Sequence, residues 1–158
     1  MRPFSIFIIV MALASNNAVK AQTINPDSAA IAKTLNELLT ICRTVDFADP
    51  KVREMGTFYK AAPYIIYRGD DKSRSWKDFA NYSNEAEKEG VDQVCLKINN
   101  SVNQDTAYKI LAYRTKKESE GIWYALEISY VRKGVSKKAT YAFLKVNGRF
   151  GLGDIDIY

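Results

Sequence analysis

The sequence predicts an α+β domain in which N-terminal helices pack on one face of a curved antiparallel sheet. Apolar residues recur at helical spacing in the first half of the chain. Segments rich in β-branched and aromatic residues follow in the second half, separated by turns that are polar or contain glycine. Helices followed by a run of strands are typical of the α+β class.

The first 21 residues are predicted to be a signal peptide. Arg2 supplies the positive start, Phe4 to Leu13 form the apolar segment, and Ala18-Val19-Lys20-Ala21 is a small-residue cleavage site. The apolar run is about half the length of a bilayer-spanning helix, so we expect no membrane span. We expect export to the periplasm or the extracellular space, with residues 22–158 forming one α+β domain.

Three helices and one short strand are predicted before residue 91. Asn25 and Pro26 are typical of a helix start, and an apolar stripe extends that helix to about Asp46. A second helix is predicted from 49 to 63, a strand from 64 to 67, and a third helix from 75 to a stop at Gly90. The apolar stripe of this third helix is Trp76, Phe79, Tyr82 and Ala86.

Five strands are predicted, over 91–99, 106–115, 121–132, 137–147 and 149–157. Asn147-Gly148 favours a two-residue type I′ turn, because both central residues of that turn need positive φ. That turn predicts the pairs Val146–Arg149, Phe143–Leu152 and Tyr141–Asp154. A turn at Gly134-Val135 pairs Leu126 with Phe143 and Ile128 with Tyr141.

Strict alternation places Asp154 on the buried face of the sheet but turns Ile155 and Ile157 outward. A β-bulge at Gly153 resolves this conflict, because one extra residue turns the isoleucines inward and both Asp154 and Asp156 outward. The opposite face is apolar enough to predict a homodimer interface. Its central residues are Trp123, Ala125, Leu144 and Val146.

Two passages resemble the nuclear transport factor 2-like superfamily, a cone-shaped fold that includes ketosteroid isomerases and scytalone dehydratase. They are FYKAAPYIIYRGDDKSRSWKDF and EGIWYALEISYVRKGVSKKATYAFLKVNGRFGLGDID. The resemblance implies a cone with helices closing one face of the sheet. It also implies a cavity aspartate with tyrosine donors in the isomerases, and frequent dimerisation through the sheet.

The amino-acid composition excludes several kinds of catalytic and metal site. The chain contains no histidine, which excludes histidine general bases, Ser-His-Asp systems and the commonest zinc sites. The formal charge is +5, and the basic pairs Lys116-Lys117, Arg132-Lys133 and Lys137-Lys138 flank predicted turns. We interpret them as solvated loop charge, and expect no nucleic-acid partner, cofactor or metal.

Cys42 and Cys95 are the only cysteines. Helical spacing places Cys42 on the buried stripe of the first helix. Export permits a disulfide, and two buried free thiols are the alternative that the sequence leaves open.

Five tyrosines and one tryptophan form the predicted binding site, because each combines an apolar ring with a polar tip. The predicted ligand-binding residues are Tyr59, Tyr64, Trp76, Tyr82, Tyr124 and Tyr141. The sequence favours an exported, noncatalytic domain that binds a small apolar or amphipathic ligand or a protein partner. One alternative is an isomerase or lyase with Asp154 as base and Tyr59 or Tyr141 as donor, and another is a structural dimerisation module.

Overall fold

A computed structural model describes residues 26–43, 58–67, 78–102, 106–119 and 121–158. Helix α1 (Pro26–Arg43) is followed by a 3₁₀ helix (Ala62–Tyr64) and helix α2 (Glu85–Ser101). Four strands complete the chain: β1 (Tyr108–Glu118), β2 (Gly121–Arg132), β3 (Val135–Val146) and β4 (Arg149–Ile157). Among these elements, no helix is both long and apolar enough to cross a bilayer. The predicted α+β class is confirmed.

Helix α1 confirms the first predicted helix. It starts at Pro26, and its buried residues are Ile31, Leu35, Leu38, Leu39 and Cys42. The predicted continuation to Asp46 and most of the second predicted helix lie outside the described residues. Pro63 lies in the first turn of the 3₁₀ helix. Proline has no backbone N–H donor, but no hydrogen bond is lost there because the first turn of a helix does not use that donor.

Of the helix predicted from 75 to 90, residues 85–90 are helical and residues 75–77 lie outside the described residues, but the predicted start and the strand at 91–99 were wrong. Residues 78–84 are extended or turn backbone, and Asn84 caps α2, which runs through Gly90 to Ser101. Val91, Cys95 and Ile98 recur at helical spacing and are at most 1% exposed. Burying that stripe outweighs the roughly 1 kcal/mol that a glycine costs inside a helix. Gly90 therefore does not end the helix, and no strand forms at 91–99.

The sheet is an antiparallel meander with the order β1-β2-β3-β4. Asn147 and Gly148 both have positive φ, and the pairs Val146–Arg149 and Phe143–Leu152 are confirmed. The preceding turn lies one residue earlier than predicted, at Lys133-Gly134, which also have positive φ. Leu126 consequently pairs with Tyr141 rather than Phe143, and Ile128 with Ala139 rather than Tyr141. Because this changes the register by two residues, each side chain keeps its face.

The bulge at Gly153 is confirmed, although Ile157, which was predicted to turn inward with Ile155, is 41% exposed. Ala142 pairs with Asp154 and Tyr141 with Ile155, so the predicted Tyr141–Asp154 pair does not form. Ile155 is 5% exposed on the helix-facing side, whereas Asp154 and Asp156 are exposed. A Cβ atom at Gly153 would lie 2.7 Å from the Trp123 ring, so the close approach of that ring requires glycine.

The core lies between the helices and one face of the sheet. Tyr141, Phe143 and Ile128 are fully buried there against α1 and α2. A disulfide joins Cys42 of α1 to Cys95 of α2, with 4.9 Å between the Cα atoms. Of the two possibilities that the sequence left open, a disulfide or two free thiols, the structure has the disulfide. It holds α1 and α2 together over the sheet.

The outer face of the sheet is partly covered by the chain itself. Ile65 forms a parallel bridge with Leu152, and Ile66 forms an antiparallel bridge with Phe79. Ile66 then packs with Trp123 and Leu144 in a small second core. Trp123 and Leu144 are 9% and 4% exposed, so half of the predicted dimer patch is already buried. Beyond it, the Glu127 carboxylate pairs with Arg114 and Lys138 at 3.3 and 3.0 Å. Homodimerisation through this face remains a prediction, and the apolar area that the outer face of the sheet offers for it is smaller than the sequence indicated.

Candidate ligand-binding cleft

A cleft of about 310 Å³ opens between α2 and the segment Ile65–Tyr67. The described residues that line it are Ile65, Ile66, Tyr67, Ala80, Ala86, Glu87, Gly90, Val91, Val94 and Gly153. Those from α2 recur at helical spacing and form one side of the cleft. The space exists because Ala86 and Gly90 are small: a Cβ atom at Gly90 would meet no atom within 4 Å.

Glu87 is the charged residue among those that line the cleft. It is 1% exposed, and the Asn81 backbone N–H donates a hydrogen bond to its Oε2 atom at 2.5 Å. Its position in the first turn of α2 favours a carboxylate there, because the N-terminal end of a helix is electropositive. The cleft therefore combines apolar walls with a buried hydrogen-bond acceptor that is held in place by backbone.

The turn that positions Glu87 is built by Asn84. Its side-chain oxygen accepts hydrogen bonds from the N–H groups of Ala86 and Glu87, at 3.1 and 3.3 Å. This N-cap satisfies two donors that the first helical turn otherwise leaves without partners. Because this cap fixes where α2 begins, it also fixes which helix positions, Glu87, Gly90 and Val94 among them, point toward the cleft.

A second polar contact joins the segment before α2 to the helix. The Tyr82 hydroxyl donates a hydrogen bond to Asp92 Oδ1 at 2.8 Å. Burial, followed by the hydrogen bond and charge of Asp92, raises the pKa of Tyr82 well above its ordinary value. Burial also raises the pKa of Asp92, against the lowering effects of the Tyr82 hydrogen bond and of Lys88. This hydrogen bond holds the segment that precedes α2 against the helix.

The six predicted ligand-binding residues are not brought together in this cleft. Tyr59 is 57% exposed, Tyr64 is half-buried against the core, and Tyr82 bonds to Asp92. Trp76 lies outside the described residues. Tyr124 packs edge-on against Phe150 with 5.0 Å between the ring centroids, and so belongs to the core.

Tyr141 is a core residue in the structure. It is fully buried, and its hydroxyl lies 3.4 Å from Ser101 Oγ. Burial raises the pKa of Tyr141 to about 12, even though the hydrogen bond to Ser101 acts to lower it. A buried neutral phenol of this kind is a structural hydrogen-bonding group at neutral pH.

Asp154 and Tyr141 cannot serve one catalytic pocket, because they lie on opposite faces of the sheet. Asp154 pairs with Ala142 on the outer face, and its Oδ1 accepts a hydrogen bond from the Ile155 N–H at 2.9 Å. It borders an outer groove of about 290 Å³ with Trp123 and Ala125. The combination of Asp154 as base with Tyr141 as donor is therefore not assembled.

Sequence reasoning missed Glu87 and the small residues of α2 as parts of a binding site. A signal for Glu87 was present: an asparagine three residues earlier is typical of a helix start with an acid in its first turn. The spacing from Glu87 to Val91 and Cys95 also places it on the buried stripe. The predicted start at 75 obscured the first signal, and the predicted end at Gly90 obscured the second.

The sequence matches no protein-family model and no curated protein. A phospholipid-binding protein from Ralstonia solanacearum, solved with a bound phospholipid, has 12% identity and a TM-score of 0.42, with 82% of this chain and 76% of that chain covered. A de novo β-sheet design has 11% identity and a TM-score of 0.34, with coverage of 82% and 85%. At these scores neither likeness identifies a family or a ligand for this chain.

Proposed function

We propose that this chain is an exported, noncatalytic binding protein that holds a small apolar or amphipathic ligand in the cleft between α2 and Ile65–Tyr67. The observation that carries the proposal is the cleft itself, about 310 Å³ with mostly apolar walls and the buried Glu87 carboxylate. Ligand sites are concave and mainly apolar, with a few polar groups that orient the ligand.

Export is supported by two independent features. The first 21 residues have the pattern of a signal peptide. The buried Cys42–Cys95 disulfide is typical of proteins that mature in an oxidising compartment. The finer fold assignment, a nuclear transport factor 2-like cone, belongs to the same proposal. Its support is the pair of helices on one face of a sheet that is bent by bulges, one near Leu111 in β1 and one at Gly153.

Glu87 indicates which polar group the ligand carries. A buried carboxylate is stabilised by hydrogen-bond donors and by positive charge, since both compensate for lost hydration. A ligand with an amine or hydroxyl group on an apolar body would add a donor beside the Asn81 N–H from which Glu87 already accepts. Such a ligand would bury its apolar part against Ile65, Val91 and Val94, which line the same cleft.

Filling the cleft tests the proposal. In Gly90→Leu, the new side chain enters space that is empty in the structure, so the fold is expected to tolerate it. Lys97→Leu adds a leucine to an exposed position of the same helix and is the matched control. Residues 22–158 would be titrated with the fluorescent apolar amine N-phenyl-1-naphthylamine. We expect Gly90→Leu to weaken binding at least about tenfold while Lys97→Leu binds as the wild type does.

The same three proteins, exported by their own host, would be compared by native mass spectrometry. We expect a retained small molecule on the wild type and on Lys97→Leu, and none on Gly90→Leu. Equal probe affinity in Gly90→Leu and wild type would refute the cleft as the binding site. Refutation would also follow if the wild type neither retains a molecule nor binds the probe.

Glu87→Gln tests the polar contribution separately, because glutamine keeps an acceptor for the Asn81 N–H but has no charge. A charge-assisted hydrogen bond exceeds a neutral one by about 1 kcal/mol or more. We therefore expect Glu87→Gln to weaken octylamine roughly fivefold to tenfold, and 1-octanol much less. Equal losses for both compounds would show that the carboxylate charge does not select the ligand.

A further inference from the structure

The tip of the β2–β3 hairpin concentrates positive charge. The eight residues from Val131 to Lys138 include four cations and no acid. The sharp type I′ turn at Lys133-Gly134 brings the two arms of the hairpin together, so that Val131 pairs with Ser136 and Arg132 with Val135. Two basic pairs that are separate in the sequence therefore lie at the same end of the hairpin.

Within the part of the chain that the structure describes, one of these four cations is paired with an acid. Lys138 pairs with Glu127 at 3.0 Å on the outer face of the sheet. Arg132, Lys133 and Lys137 form no ion pair with any residue in the described part of the chain. Three cations at one projecting end make a local positive potential that acts over about a Debye length.

Apolar side chains protrude among these cations. Val131 and Val135 are 60% and 57% exposed, the two highest values among the large apolar residues of β1–β4. Tyr158 is 70% exposed, and its backbone N–H donates a hydrogen bond to the Lys138 carbonyl at 2.9 Å, which places it beside the tip. Solvation alone accounts for exposed lysines, but it does not favour exposed valines and a tyrosine next to them.

We propose that this hairpin tip docks the protein onto anionic membrane surfaces. Each cation that faces a layer of anionic lipid headgroups increases the membrane partition coefficient of the protein about fivefold. The valines and Tyr158 would enter the boundary between headgroups and acyl chains, where apolar and amphipathic side chains are stabilised. Docking of this kind is peripheral and reversible, and it uses residues that take no part in the cleft.

Vesicle cosedimentation of residues 22–158 tests this proposal. One vesicle contains phosphatidylglycerol and phosphatidylcholine, and the other contains phosphatidylcholine alone. We expect binding to the anionic vesicle only, and a decrease as the salt concentration rises. Arg132→Glu/Lys137→Glu should reduce the partition coefficient at least about thirtyfold.

The matched control is Lys97→Glu/Lys117→Glu, which changes the net charge equally. Lys97 is exposed on α2, and Lys117 is exposed on β1, opposite Ile122 at the far end of β2 from Arg132. We expect this control to bind within about twofold of the wild type, because screening limits the reach of distant charges. An equal loss in the control would show a general charge effect and overturn the proposal.

Val131→Ser/Val135→Ser separates a membrane from a soluble polyanion such as heparin. If the valines enter the bilayer, this variant should lose vesicle binding several-fold while heparin binding stays unchanged. Unchanged vesicle binding would overturn the proposal and indicate a purely electrostatic polyanion contact. Binding of N-phenyl-1-naphthylamine should be the same in all these variants, so the test is independent of the cleft.

Discussion

The Cys42–Cys95 disulfide is expected to supply a large share of the stability of this fold. It joins residues separated by 53 positions, and both side chains are fully buried between α1 and α2. Opening a loop of that length increases the entropy of the unfolded chain by an amount worth about 4 kcal/mol at 25 °C. Single domains are usually stable by only about 5–15 kcal/mol. Cys42→Ala/Cys95→Ala should therefore lose about 3–5 kcal/mol.

Urea unfolding followed by circular dichroism measures this loss. We expect a lower midpoint for the double variant and a steeper dependence of the unfolding free energy on urea. The slope should increase because the unfolded chain, once released from the bridge, exposes more surface. Alkylation in denaturant should label no cysteine of the wild type before reduction and two cysteines after it.

Reduction of the wild type is the internal control. A reductant should bring the wild type close to the double variant and leave the double variant unchanged. A loss of less than about 1 kcal/mol in Cys42→Ala/Cys95→Ala would refute the reasoning, because no reasonable loop entropy is that small. So would two alkylated cysteines in the unreduced wild type.

Three further predictions concern the core and the helix that carries the cleft. The pKa of Tyr141 rises from 10.0 to about 12 on folding, so between these pH values the unfolded state loses its proton before the folded state does. The free energy of unfolding should therefore fall by up to about 3 kcal/mol as the pH rises through this range. Tyr141→Phe should remove this pH dependence, as measured by urea titrations at several pH values. Gly153→Ala should destabilise by about 1–3 kcal/mol, since its Cβ would lie 2.7 Å from the Trp123 ring, and combining it with Trp123→Leu should recover part of that loss in thermal unfolding. Asn84→Ala should cost about 1 kcal/mol by removing the cap of α2, whereas Asn84→Asp should retain the cap, as measured by urea midpoints.

The β-meander was predictable because its signals are local. Asn147-Gly148 selects a type I′ turn, and that turn alone sets the Val146–Arg149 register. The bulge at Gly153 followed from a conflict between neighbouring residues, since Ile155 could not be buried without it. The Lys133-Gly134 turn was placed one residue late, because a lysine with positive φ has no sequence signature.

Helix α2 was mispredicted because local and long-range effects oppose each other there. Gly90 is locally a helix stop, but Val91, Cys95 and Ile98 gain more from burial against α1 and the sheet than the glycine costs. Asn84 and the stripe indicate a helix locally, but its continuation past Gly90 depends on the partner surface that buries the stripe. The same error removed Glu87 from the predicted site.

The sequence by itself determined the α+β class, the strand order of the meander and the burial of Cys42, because turn chemistry and hydrophobic periodicity act over a few neighbouring residues. Only the tertiary structure decided that Cys42 meets Cys95, that Ile66 covers Trp123, and that Glu87 faces Tyr67 across a cleft. These contacts join residues that are distant in the chain. Their geometry depends on how the helices and the sheet pack as whole bodies, which no local pattern encodes.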